Sequence, residues 1–387
     1  MTDENPRRRL VVLQVLPALA GGGVERGTVE IVQAIATAPG TALVASAGGR
    51  LVAAVEKAGG RHITLPLDRK SPLALWRNAG LLRRVIEAEG VSIVHARSRA
   101  PAWSAWLAAR RCGCHFVTTY HAPYSENWWG KHAYNAVMAR GEVVIAISRF
   151  VAALIERRYG LPASRIRVIP RGVDPTVFDP EAVDGDRTAA LAAAWQLPEG
   201  TPVLLLPARF SRWKGQREAI AALAAMRHRE AVLVLAGGEA KRARLRRELA
   251  AKAARFGVAA RVFDVGHVAD VPAALALATL VLSPSVEPEG FGRTVIEAQA
   301  MARPVVATAH GGAAETVRDG ETGWLVPPGD TEALARALDA ALDLSAAQRA
   351  KVGAAARAAV MDGYTLEAMR AATLDVYGGL LAAGVER

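Results

Sequence analysis

At 387 residues, 51% of them hydrophobic, the chain is too long for one ordinary core and suits two domains of under about 200 residues each. Its formal charge of +11 lies wholly in residues 1–180, where 24 Lys and Arg face 13 Asp and Glu, while residues 181–387 balance at 24 and 24; such a first half attracts lipid headgroups or phosphorylated saccharides. Nucleic acid ranks last as a partner because no helix-turn-helix, finger or RNP pattern accompanies the charge, and no apolar run approaches the roughly 20 residues of a membrane span.

The start, Arg7–Arg9 then Leu10–Ala20 then three glycines, mimics a secretory signal. Asp3 and Glu4 in its basic region, and Gln14 and Pro17 in its apolar run, argue against export. Leu10 to Leu16 suits a strand buried on both faces, followed by a glycine loop at Ala20–Val24 and a helix from about Glu25 to Thr37. The loop matches neither the dinucleotide GxGxxG nor the Lys-bearing phosphate loop. Further strands are predicted at Ala42–Ser46, His62–Leu65, Ser92–His95, Phe116–Tyr120 and Val143–Ile147, with helical stretches between them. That alternation predicts a parallel, doubly wound sheet, whose ligands collect beyond the carboxyl ends of the strands. Arg97, Ser98, Arg99, His121 and Ser148 fall there, the arginines as acceptor candidates. Cys112 and Cys114 are too close in sequence for an ordinary disulfide, have no second pair for zinc, and point to a reducing compartment. Trp128 and Trp129, near Lys131 and Tyr134, cannot both face one core; the loop either meets a membrane or acceptor, or packs. Ile166–Pro180, with three prolines, places a domain boundary just after it.

The second half repeats the pattern. Val203–Ile220 reads as strand, loop and helix, with Arg209 and Lys214 bracketing the loop: one planar and bidentate, one a point charge, as a leaving diphosphate requires. A strand at Ala231–Ala236, a basic helix near Lys241–Arg255 and a strand at Val262–His267 follow. Asp184-Gly185-Asp186 looks like a metal-binding DxD but follows no apolar strand, so no metal is expected there. Val281 and Leu282 close a strand, Ser283–Glu289 form a Pro-broken loop, and Thr294–Met301 carry helical spacing. Gly290 and Gly292 leave the backbone around Phe291 open just before that helix, where free N–H groups and the positive dipole end can meet a diphosphate. Glu289 and Glu297 flank this point, and carboxylates suit sugar and ribose hydroxyls, so the run fits a nucleotide sugar. Gly311, Gly312 and Glu315 open another helix, Thr322-Gly323 and Pro327-Pro328 make turns, Glu332 onward is helical, and Leu366–Leu381 forms a final helix.

The string EPEGFGRTVIEAQAMARPVVAT, with seven residues between Glu289 and Glu297, followed by GGAAETVRDGETGWLVPPGD, resembles the signature of family 4 retaining glycosyltransferases, and the likeness covers nearly the whole chain. The resemblance implies a GT-B fold: an acceptor-side Rossmann-like domain at 1–180, a nucleotide-sugar domain at 181–365 facing it across a cleft, and a helix at 366–387 crossing back. It implies that Gly22, Gly23, Val24, Glu25 and Arg26 line the cleft, unless they are only a tight turn. His121 would face the donor sugar or else hold a loop. Arg209 and Lys214 would bind the donor phosphates, and His267, after Gly266, would border the base. VIPRGVD is similar to the family's VIPNGVD segment, with Arg171 where Asn is usual. The expected enzyme is a metal-free hexosyltransferase using a UDP- or GDP-linked sugar and no other cofactor. Its acceptor would be a lipid-linked or surface glycan, such as lipopolysaccharide core. It would work in the cytoplasm, peripheral on the inner face of an anionic membrane. A nucleotide-sugar epimerase on the same fold and an exported two-domain binding protein are the rival readings.

Overall fold

The computed structural model describes residues 10–238 and 243–384. Asp3, Glu4 and Arg7–Arg9 of the signal-like start, and Lys241 of the basic helix, lie outside them. The backbone forms two compact units, one running to Arg171 and resuming at Leu366, the other spanning Gly172–Thr365. The division falls before Gly172 rather than after Pro180. The intervening residues are stitched to the second unit: Val173 N donates to Tyr364 O (2.9 Å), and Arg357 Nη1 donates to Phe178 O (3.0 Å).

The first unit runs β1 (Val11–Val15), α1 (Gly23–Thr37), β2 (Thr41–Ser46), α2 (Val52–Lys57), β3 (Arg61–Thr64), α3 (Pro72–Glu89) and β4 (Ile93–Ala96). It continues with α4 (Arg99–Cys112), β5 (His115–Tyr120), α5 (Trp129–Asn135), β6 (Val143–Ala146), α6 (Arg149–Tyr159) and β7 (Ile166–Val168). The strands form one parallel sheet in the order β3-β2-β1-β4-β5-β6-β7. β1 is buried along its whole length, as a central strand covered on both faces must be. Ser71 caps α3 by accepting from Ala74 N (3.3 Å), and Gly90 ends that helix at φ +60°. The strand order reverses between β1 and β4, so the crevice that α/β sheets use for ligands opens where Gly21–Gly23 and Arg97 emerge.

The second unit contains α7 (Gly185–Ala194), β8 (Val203–Pro207), α8 (Gln216–Ala225), β9 (Val232–Ala236), α9 (Ala243–Arg255), β10 (Val262–Gly266), α10 (Val271–Leu277) and β11 (Leu280–Ser283). Then come α11 (Arg293–Ala300), β12 (Val305–Thr308), α12 (Ala313–Thr316), β13 (Gly323–Val326), α13 (Thr331–Asp343) and α14 (Ala346–Gly363). Its parallel sheet has the order β10-β9-β8-β11-β12-β13 and switches between β8 and β11. Two local readings change. Gly323 is the first residue of a strand, and its φ of +155° with a would-be Cβ 2.4 Å from Val305 O explains the glycine. The helix opened by Gly311 and Gly312 is a single four-residue turn.

The last helix, α15 (Leu366–Ala383), belongs to the first unit. Leu366, Met369 and Tyr377 enter its core with Ile31, Ile35 and Ile93. Tyr377 Oη meets His95 Nδ1 at 2.6 Å, and His95 Nε2 meets Thr119 Oγ1 at 2.6 Å, so a buried polar chain ties α15 to β4 and β5.

Candidate active site

The loops after β8 and β11 leave the second sheet at its switch point and are bound to each other. Val286 N donates to Trp213 O (2.8 Å). Gly215 has φ +78°, and a Cβ there would lie 1.9 Å from Pro284 O, so only glycine allows the loops this close. The approach brings Lys214 Nζ to 2.6 Å from Glu289 Oε2, with the side chains 14% and 13% exposed. Ser285 Oγ donates to Glu289 Oε1 (2.5 Å), while the Ser285 carbonyl accepts from Thr308 Oγ1 (2.8 Å) and His310 Nε2 (2.7 Å). The Lys214 ammonium also lies 4.5 Å from the Trp213 ring centroid. Gly312 N donates to Glu289 O (2.9 Å), which fixes that residue from β12's side. The result is a cation and a carboxylate held in place at the mouth of the sheet.

The start of α11 adjoins them in sequence. Gly292, at φ +86°, occupies its N-cap without a side-chain cap bond, and its carbonyl accepts from Val295 N (3.0 Å); a helix start of this kind carries the positive end of the dipole, which suits an anion. Phe291 contributes backbone there, because its ring is buried 5.8 Å from Tyr364. Glu297, one turn into the helix, is buried and accepts from Arg293 Nε (3.1 Å), so a bound hydroxyl would share that carboxylate with Arg293. Arg209 is exposed, and its carbonyl accepts from Gln216 Nε2 (3.0 Å). His267 is exposed beyond β10. Asp184 caps α7 through Arg187 N (2.8 Å), which accounts for the DxD-like run as a helix start. Among the described residues no three His, Cys, Asp or Glu side chains cluster as a metal would require.

In the first unit, His121 directly follows β5, and Arg171 Nη2 lies 2.7 Å from its Nδ1. Arg97 is 2% exposed and donates from Nη1 to Gln14 Oε1 (2.8 Å); Gln14 Nε2 in turn donates to Thr28 O (3.1 Å). Both guanidiniums converge on Gly27, whose missing Cβ would lie 2.6 Å from Arg171 Nη1 and 3.2 Å from Arg97 Nη2. Burial first, then the Arg171 and Arg97 charges, hold His121 well below the usual imidazole range; burial, Arg97 and Arg171 do the same to His95. Both rings are therefore neutral near pH 7. Gly23 has open space where a Cβ would point, whereas a Cβ at Gly22 would meet Glu25 Oε2 at 2.7 Å. Ser148 caps α6 through Val151 N (3.0 Å), and Ser98 sits at the N-cap of α4 without such a bond. Arg99 donates to Asn135 Oδ1 (2.9 Å) and covers the Tyr124 ring at 4.2 Å, both packing roles. Cys112 and Cys114 are free thiols, Cys114 pushed up to about 12 by burial.

Sequence reasoning missed three features here. Gln14, a lone polar residue inside an apolar strand, was the available signal for a buried partner such as Arg97. The Arg171–His121 contact spans 50 positions and had no local signal. Leu73 and Trp76 on α3 are 58% and 63% exposed, beside exposed Arg69, Lys70 and Arg77, and join Trp128 (53%) and Trp129 (93%) as large apolar side chains facing water.

Two doubly wound parallel domains, the second with a charged cluster at its switch point, place the protein in the class of GT-B glycosyltransferases. The chain belongs to the family 4 glycosyltransferases: residues 21–177 match the family described as Glycosyltransferase Family 4, and residues 188–359 match Glycosyl transferases group 1. It is 35% identical to a D-inositol 3-phosphate glycosyltransferase of Xylanimonas cellulosilytica over 77% of this chain and 75% of that relative. It is 30% identical to the GDP-mannose-dependent alpha-(1-6)-phosphatidylinositol monomannoside mannosyltransferase of Mycolicibacterium smegmatis, over 74% and 76%. Among solved structures, a glycosyltransferase from Rickettsia africae superposes with TM-score 0.89 at 34% identity, covering 96% of this chain and 98% of that one. Enzymes of this kind take their sugar from a nucleotide-sugar donor.

Proposed function

We propose that this glycosyltransferase moves a hexose, with retention, from a UDP- or GDP-linked sugar to a lipid-linked glycan acceptor. The observation that carries the donor assignment is the Lys214–Glu289–Ser285 cluster, fixed at a sheet switch point next in sequence to the glycine-opened start of α11. In this reading the diphosphate lies against Lys214, Arg209 and the N–H groups after Gly290, Phe291 and Gly292, with the base bordered by His267. Glu289 and Glu297 accept hydrogen bonds from sugar and ribose hydroxyls. As the bond from the anomeric carbon to the diphosphate oxygen breaks, negative charge grows on the leaving group. Fixed cations and a helix N-terminus stabilise it without a metal. The acceptor hydroxyl attacks from the same face, forms the glycosidic bond and gives its proton to a departing phosphate oxygen, which yields retention without a protein nucleophile.

The acceptor reading draws on charge. A first domain that carries the whole excess of +11 suits a phosphate-bearing acceptor at an anionic membrane, and two of the relatives are named for inositol-phosphate and phosphatidylinositol acceptors. Lipopolysaccharide core is another such acceptor. No helix among the described residues is long and apolar enough to cross a membrane. The proposed attachment is peripheral, on the cytoplasmic inner face, and rests on the exposed Trp128, Trp129, Leu73 and Trp76 and their basic neighbours.

The test is a thermal-shift panel of UDP-, GDP- and ADP-sugars, followed by NMR of the product's anomeric proton with the donor that binds. One base class raising the melting temperature, and a product with the donor's anomeric configuration, are expected. Inverted product would overturn retention. Donor converted to an isomeric nucleotide sugar without acceptor would favour the epimerase.

A further inference from the structure

We infer that Arg171 fixes the tautomer of His121 and so presents the His121 Nε2–H as a hydrogen-bond donor to a sugar hydroxyl. The inference rests on the reading of His121 as a substrate-facing residue and makes Arg171 its positioning residue. A guanidinium has five N–H donors and no acceptor. With Arg171 Nη2 2.7 Å from His121 Nδ1, that nitrogen must be the acceptor, and the one proton of the neutral ring must sit on Nε2. A protonated ring would set two N–H groups nose to nose at this distance. The charged and titratable groups around it, Arg171 beyond β7, Arg97 beyond β4 and His95 on β4, all oppose protonation as well.

The other side of the ring supplies the second observation. His121 Nε2 is shut off from solvent and has no hydrogen-bond partner among the described residues. A buried N–H without an acceptor is unfavourable, and a ligand oxygen placed there removes the cost. His121 stands at the carboxyl end of β5, on the edge where α/β sheets collect ligands, so a substrate hydroxyl is the chemistry that fits. Arg171 reaches it from beyond β7, across β6, a separation of roughly 10 Å at about 4.8 Å per strand. A long side chain such as that of Arg171 suits that span.

The experiment is nitrogen-15 NMR of the full-length protein labelled at histidine, with His121 assigned by the signal lost in His121→Gln. The expected wild-type spectrum shows His121 protonated at Nε2, bare at Nδ1, and unchanged from pH 8 down to about 6. In Arg171→Met the ring should populate both tautomers or begin to titrate in that range, and kcat/KM should fall about tenfold or more. Arg171→Lys, which restores a donor, should recover the wild-type signature. Wild-type His121 protonated at Nδ1, a reading that needs no variant to fold, would overturn the inference; so would an unchanged spectrum in Arg171→Met. Unchanged turnover in His121→Ala would instead overturn the substrate-facing role while leaving the tautomer assignment standing.

Discussion

Replacing Lys214 by alanine separates what the charged cluster does for the fold from what it does for the reaction. The substitution removes the cation 2.6 Å from Glu289 and leaves the carboxylate with Ser285 Oγ as its remaining partner in the cluster. Both side chains are about one-seventh exposed, so the cost lies between the 0–1 kcal/mol of a surface pair and the 3–5 kcal/mol of breaking a buried one, about 2 kcal/mol. At about 2–4 °C per kcal/mol for a domain of this size, the melting temperature should fall by about 4–8 °C without donor. The effect on turnover should be larger. A preorganised group that meets charge developing on the leaving diphosphate is worth about 100-fold or more in kcat, near 2.7 kcal/mol. The assay is release of nucleoside diphosphate at saturating donor and acceptor, well below the variant's melting temperature. Lys214→Arg should recover part of the rate, since it keeps the charge but replaces a point cation by a planar fork. Near-normal kcat in folded Lys214→Ala would refute the phosphate clamp.

Arg209→Ala should show the complementary pattern, an unchanged melting temperature because the side chain is exposed and a turnover loss of about 100-fold; unchanged turnover would remove Arg209 from the site. His95 and His121 are held neutral in the folded chain, whereas in the unfolded chain each takes up a proton near pH 6.5. Stability is therefore full above that pH and declines below it, by about 1.4 kcal/mol per pH unit for each ring, and a melting temperature that stays flat from pH 7 to 5 would contradict this. Transfer should survive EDTA; abolition by EDTA with recovery on Mg²⁺ or Mn²⁺ would bring Asp184 and Asp186 back into consideration. Sedimentation with anionic liposomes should be strong at low salt and weak at high salt, each basic residue near the surface contributing on the order of 1 kcal/mol within a Debye length of about 8 Å. It should also weaken in a Trp128→Ala, Trp129→Ala double variant, and equal binding to neutral liposomes would sink the docking proposal.

Much of the fold was legible because parallel strands buried on both faces read as short apolar runs, and glycines and prolines mark where they stop. β1, β5 and β11 fall within a residue or two of the expected positions. The Lys214–Glu289 contact was legible in part: both residues stood out as charged groups at strand ends, but their pairing depends on Gly215 admitting the Pro284 carbonyl, which is tertiary packing. The strand-end rule pointed to Arg97 as a ligand group. It could not show that Gln14 on the neighbouring strand takes up that guanidinium, because β1–β4 register is invisible in the sequence. Arg171 stood out only as a departure from a familiar segment. Its meaning came from His121, which the fold brings beside it.

The most direct test is a crystal structure with the nucleoside diphosphate that gives the largest thermal shift. The account predicts phosphate oxygens within hydrogen-bond distance of Lys214 Nζ and of the backbone N–H groups at Gly292 and Arg293, and the sugar side of the diphosphate toward Glu289. Density for the nucleotide elsewhere on the chain, with the Lys214–Glu289 pair undisturbed and out of reach, would contradict it.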